Sequence, residues 1–210
     1  MALDSPYATA KEFRAAVGAD DEKDDAAITA LLKAVSRLLD RRCRRFFSKN
    51  VAAVARIFHG NGRELLWLPI DIATTAGLIV KVDLNGDYDV ADSGETLALN
   101  TDYWLGPENA ELEPEAQPFE SIEVNPSSAL LSCWPDQRRA IEVTAVFGWP
   151  ARPGAVREAT ILIARELLDL EKAGMTLQLQ QIDQQVNLSP AAFSQVQRIQ
   201  HDYARPLTRR

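Results

Sequence analysis

Along the first quarter of the chain, apolar residues fall at Ile28, Leu31, Leu32, Val35, Leu38, Leu39 and Phe46. Steps of three, four and seven place them on one face of a helix, predicted from about Asp24 to Phe46. The preceding "ADDEKDD" suits a helix start, where carboxylates oppose the dipole. A shorter helix is predicted in "YATAKEFRAAVG": Thr9 and Glu12 have the spacing of a capping box, and Gly18 is a stop. From Val51 the period changes to two. The segments "VAAVARIFHGNG", "ELLWLP", "GLIVKVDLNGD", "TDYWL", "ESIEV" and "AIEVTAVFGWP" read as six strands, antiparallel because the connections are too short for crossover helices. The proline-bearing stretches "EPEAQP" and "NPSSALLSCWPDQ" read as loops.

The helical period returns after Pro150 and Pro153, with Val156, Ala159, Ile163, Leu167 and Leu170 on one face, predicting a helix over Gly154–Ala173. A glutamine-rich stretch follows, and then "LSPAAFSQVQRIQHDYARP", where Ser189 can cap and Pro190 can occupy the first turn of a last helix. That helix is thin in apolar residues, so it either folds back on its own bundle or lies on a partner. The pattern predicts an α+β protein: mainly a helical bundle from residues 1–50 and 151–174, an inserted antiparallel β domain over 51–150, and a C-terminal tail, 175–210, with a terminal helix.

Charge sharpens this division. Val82 to Gln137 holds thirteen Asp or Glu and no Lys or Arg, so this stretch carries −13 of a chain whose net charge is −7 and leaves +6 elsewhere. Such a lobe repels phosphate and is a poor grip for DNA. The "RRCRR" run reads as a nucleic-acid patch or, in preference, as cations at a helix C-terminus; the sharper alternative is a subunit contact through Arg41, Arg42, Arg44 and Arg45 with an acidic neighbour. Cys43 and Cys133 lack metal-ligand spacing; both are expected to be reduced thiols, with Cys133 buried. No run approaches the roughly 18 apolar residues of a membrane helix, and the N-terminus lacks signal-peptide order, so synthesis and retention in a cytosol are expected.

"VDLNGDYDVADSGE" invites a calcium reading, because Asp83, Asn85 and Asp87 occupy the first, third and fifth positions of an EF-type loop. The sixth position is Tyr88 and the twelfth Gly94, so the turn glycine and the bidentate glutamate are both missing. A hairpin is the better prediction, with Asn85-Gly86 as a type I′ turn and "DYDV" as the returning strand. No metal, cofactor or catalytic residue is assigned, and the chain is expected not to be an enzyme. His59 and His201 have no nucleophile context, and "HGNGRE" lacks the features of a phosphate loop. One alternative function is a carbohydrate- or ion-binding module with Trp67, Trp104, Trp134 and Tyr103 as platforms in the acidic insert.

The ordered motifs "YATAKEFRAAVG", "DDAAITALLKAVSRLLDRRCRRFF", "FHGNGRELLWLP", "DYWL" and "VTAVFGWPARPGAVREATILIARELL" resemble the head-tail connector, or adaptor, proteins of long-tailed bacteriophages and gene transfer agents. Their most specific piece is Gly148-Trp149-Pro150 followed by Pro153, Val156 and Glu158-Ala159. The resemblance implies a structural virion protein of the neck, made in the bacterial host cytoplasm. It would form a ring, expected to be dodecameric, between the portal and the stopper or tail-terminator protein, with DNA passing through. It implies a C-terminal part that reaches the portal, with Phe193, Ile199 and Tyr203 as anchors and Arg198, Arg205, Arg209 and Arg210 as charge partners. The stretch "MTLQLQQIDQQVN" is longer than the family's usual loop.

Overall fold

A computed structural model describes residues 5–18, 25–90, 92, 94–112, 116–172 and 189–205. The chain divides into two compact units: Lys49–Ala151, and a second built from the segments on either side of it.

The first unit is an antiparallel sheet of β1 (Val54–Phe58), β2 (Leu65–Val82), β3 (Thr96–Leu97), β4 (Tyr103–Gly106), β5 (Phe119–Val124) and β6 (Ile141–Phe147). Its spatial order is β1-β6-β2-β5-β4, and β3 pairs with β2 at Val80 and Lys81. β2 is the spine: its first half pairs with β5 and its second half with β6. "ELLWLP" and "GLIVKVD", expected as two strands, are parts of this one. The exposed Pro69 falls within a register shift between Trp67 and Ile72, and Gly77, at φ 74°, lies in another between Thr74 and Ile79. These irregularities let the strand bend and tolerate residues that end a regular one.

Strand alternation fills one core. On β6, Ile141, Val143, Ala145 and Phe147 are fully buried, and they meet Ile72, Val80, Val82, Phe119 and Ile122. Trp134, from the β5–β6 connection, is also fully enclosed, and its backbone N–H donates to the Arg63 carbonyl. Beside that segment Gly60 has no room for a side chain: a Cβ there would lie 1.7 Å from the Pro135 carbonyl oxygen. This close approach explains a glycine in "HGNG" without a ligand.

The second unit contains α1 (Ala10–Val17), α2 (Asp25–Cys43), α3 (Gly154–Lys172) and α4 (Pro190–Tyr203). α2, α3 and α4 pack against one another, and α1 lies on α2 and α3. The capping box of α1 forms as the spacing predicts: Thr9 and Glu12 satisfy each other's backbone N–H, and Gly18 closes the helix at φ 73°. α2 ends three residues before the predicted Phe46. Arg44 takes a left-handed φ of 54°, and the Arg45 N–H returns to the Asp40 carbonyl at 3.2 Å, a Schellman closure with arginine where glycine is usual.

The expectation of a mainly helical bundle is overturned. Among the described residues, helix accounts for about 33% and strand for about 26%, and the six-stranded sheet dominates. The cause is the length and centrality of β2, which gathers β3, β5 and β6 around itself and gives the sheet unit a core of its own. Among the described residues, no helix is long and apolar enough to cross a membrane.

Candidate functional site

The arginine run sits where α2 stops. Arg41, Arg42 and Arg44 are exposed, whereas Arg45 is buried at 7% exposure. Arg37, Asp40, Arg41, Arg44, Arg45 and the half-exposed Phe46 line an open cleft of about 360 Å³. Cations here face carbonyls at a helix C-terminus, which the dipole favours, and still leave a concave basic surface.

Below this cleft lies a buried polar hub. Tyr7, fully enclosed, donates its hydroxyl to Asp40 Oδ1, and the Phe47 N–H donates to the same Tyr7 oxygen at 2.9 Å. The Tyr7 N–H donates to Ser36 Oγ at 2.8 Å, and Ser36 in turn donates to the Leu32 carbonyl at 2.7 Å. Arg37 pairs with Asp40 Oδ2 at 3.1 Å and stands 5.5 Å from the centre of the Tyr7 ring. Burial pushes the Asp40 carboxyl up to about 6, although the Tyr7 hydrogen bond and Arg37 pull the other way. Burial, and then the neighbouring Asp40 charge, push the Tyr7 phenol well above its ordinary value. The hub locks the N-terminal segment to α2 and to the turn after it, and so sets the walls of the cleft. Asp40, a lone acid beside Leu38 and Leu39 on an apolar helix face, was the sequence signal for it.

The terminal helix folds back onto its own unit. Ser189 caps α4 and also bonds Glu166 of α3 through its N–H and its hydroxyl. Ala192, Val196 and Ile199 are buried, Cys43 Sγ donates to the Ile199 carbonyl at 3.8 Å, and the Arg205 N–H donates to the Cys43 carbonyl at 3.0 Å. The Tyr203 ring meets Phe47 edge-on at 5.7 Å. Of the residues expected to reach a portal, Ile199 is therefore a core residue, and Tyr203 and Arg205 are half-buried. Phe193, 52% exposed, and Arg198 face outward. Arg209, Arg210 and the glutamine-rich stretch lie outside the described residues.

In the sheet unit the Asp83–Glu95 connection departs from the predicted hairpin. β2 ends at Val82 and the returning strand is Thr96–Leu97, so "DYDV" is loop and Asn85-Gly86 is not a two-residue turn. Asp83, 2% exposed, organises the loop: it accepts from the Gly86 N–H at 2.6 Å, the Tyr88 N–H at 2.9 Å and Gln137 Nε2 at 2.7 Å. Burial alone would raise the Asp83 carboxyl, but these donors outweigh it and hold it below the usual range. Glu95 accepts from the N–H groups of Leu84 and Asp92, both at 3.2 Å. The carboxylates brace backbone, as in Asx turns, and among the described residues no group of three or more His, Cys, Asp or Glu could hold a metal.

Two further expectations change. Cys43 is the buried thiol and Cys133 the exposed one, and burial raises Cys43 to about 12. Trp134 and Tyr103 are core residues, Trp67 is half-buried, and Trp104, 37% exposed beside a shallow cleft of about 280 Å³, is the aromatic left as a platform. His59 accepts from the Arg139 N–H at 3.0 Å, a structural contact.

No protein-family model matches the chain, and no curated protein matches it.

Proposed function

We propose that this chain is a structural virion protein, a head-tail connector that forms a ring, dodecameric by the family's pattern, between the portal and the stopper or tail-terminator protein. The observation that carries the reading is an architectural one. Helical segments more than a hundred residues apart in sequence, α1–α2 and α3–α4, build one unit, and the whole acidic sheet unit is carried between them. That is the order in which the connector-like motifs occur. Supporting it, the sheet unit holds sixteen Asp or Glu against six Lys or Arg, a formal −10, and the flanks carry +3. Within the sheet unit, the Val82–Gln137 stretch, which has no Lys or Arg, offers a passing duplex no cation contacts, so DNA slides by without sequence-specific binding; this acidic stretch approaches the channel. Phe193 and Arg198, on the outward face of α4, are the described residues best placed to meet the portal.

The experiment is removal of this chain from the particle that encodes it. DNA-filled heads and detached tails are expected to accumulate, and supplying the chain in trans should join them. Infectious particles of normal yield without it would overturn the reading. The carbohydrate-binding alternative is separated by calorimetric titration with glycans, where heat that disappears in Trp104→Ala would favour it.

A further inference from the structure

The loop between β2 and β3 contains a conformational oddity. Tyr88 has a φ of 70°, a region that a bulky side chain rarely occupies, and is 69% exposed. Asp83 fixes it there through the Tyr88 N–H, Gly86 supplies the preceding left-handed residue, and Gln137 anchors Asp83 from the far side of the loop. Exposing an aromatic ring costs hydration free energy, and holding it left-handed adds strain; such outliers persist where the surrounding structure enforces them and collect at functional positions. Asp87 and Asp89 flank the ring, both exposed, and each carboxylate accepts a loop N–H, so their charges are held in place before any partner arrives.

The second unit offers a counterpart in chemistry. The cleft at the end of α2 is concave, contains the half-exposed Phe46, and is rimmed by the exposed Arg41 and Arg44. An aromatic ring between two carboxylates matches a pocket with an aromatic wall and guanidinium edges: the ring gains apolar burial and cation–π contact, and the carboxylates gain paired donors. Tyrosine and arginine in a desolvated pocket are the residue types that dominate interface energetics.

We propose that the Asp83–Glu95 loop of one copy of this chain seats in the α2-end cleft of a neighbouring copy, with Tyr88 entering beside Phe46 and Asp87 and Asp89 meeting Arg41 and Arg44. The proposal rests on the ring reading above and names the contact that builds the ring. Two unlike patches on one molecule make a heterologous interface, which propagates in one direction and closes when the rotation allows. A phosphate-bearing partner would suit the arginines but not the Tyr88–Phe46 pairing.

The test is sedimentation of the full chain in about 0.05 M salt, where exposed charges are weakly screened, with circular dichroism to verify that each variant folds. The wild type is expected to self-associate. Arg41→Glu with Arg44→Glu, and separately Asp87→Arg with Asp89→Arg, should each weaken association about tenfold or more. An equimolar mixture of the two charge-reversed variants should recover it, because loop and cleft then alternate in complementary pairs, an outcome no contact within one chain can produce. Tyr88→Ala, which changes an exposed side chain, should weaken association about tenfold even if the reversed variants fold poorly. A wild type that stays monomeric to about 1 mM, a scale at which even weak interfaces register, overturns the proposal. So do variants that associate like wild type, or a mixture that fails to recover. Loss of duplex DNA binding in the Arg41/Arg44 variant with unchanged self-association would also overturn it, in favour of a nucleic-acid site. If the charge-reversed chain still forms rings on the portal, this contact fails while the connector reading survives.

Discussion

The sheet unit and the helical unit use buried carboxylates in opposite ways. In the sheet unit, Asp83 is ringed by N–H donors and stays charged more readily than a free carboxylate. In the helical unit, Asp40 is enclosed with Tyr7 and Arg37, and burial dominates, so its proton is held to higher pH. A carboxylate in a loop can recruit backbone donors, because loop N–H groups lack ladder partners. One on a helix face gets no donor from its own helix, because the helix has consumed its backbone N–H groups. The first arrangement shapes a loop; the second fastens the segment before α1 to α2.

The two units can be read apart, because all four tryptophans, Trp67, Trp104, Trp134 and Trp149, lie in Lys49–Ala151. Tryptophan fluorescence follows the sheet, and helical dichroism follows the other unit. The largest effect is expected from Ile72→Ala, at the fully buried centre of β2: about 3 to 4 kcal/mol lost from the fluorescence-detected transition in denaturant. An equal loss in the helical signal would show that the units unfold as one.

The next prediction is a pH effect. A carboxyl raised from 3.8 to about 6 by folding binds its proton more tightly in the folded state. Its contribution therefore favours the fold below about pH 4, declines as pH rises through 6, and is flat above that. The full swing is about 3 kcal/mol at most. Asp40→Asn should flatten this part of the profile of the helical transition; a profile identical to wild type would contradict the assignment. Tyr7→Phe, which removes the hydroxyl that donates to Asp40 Oδ1 and accepts from the Phe47 N–H, should cost about 2 kcal/mol in the same transition. Smallest is Thr9→Ala, which breaks the capping box of α1 at about 1 kcal/mol, detectable as a lower helical midpoint with fluorescence unmoved.

Legibility in the sequence follows the same division. Helix ends are local chemistry, so Thr9, Glu12, Gly18, Ser189 and Pro190 announced their caps, and the apolar steps along α2 announced its buried face. The left-handed Arg44 carried no such signal, and α2 stopped early. Strand joining depends on partners distant in sequence: Pro69 and Gly77 look like breaks until β5 and β6 supply the register shifts that absorb them. That missed connection made the sheet seem a minor insert. Among the candidate contact residues, the exposed arginines of "RRCRR" were legible from charge alone, whereas the burial of Ile199 depended on α4 folding onto α2 and α3. Tyr88 had no sequence signal beyond its acidic flanks, because its exposure comes from a loop that Asp83 and Gln137 shape together.

Electron microscopy of the purified chain mixed with a portal offers the plainest trial of the connector reading. A ring of this subunit stacked coaxially on the portal, with twelve-fold symmetry, is the expected image. Portals that remain bare at saturating chain, or a single copy bound off the axis, would contradict it.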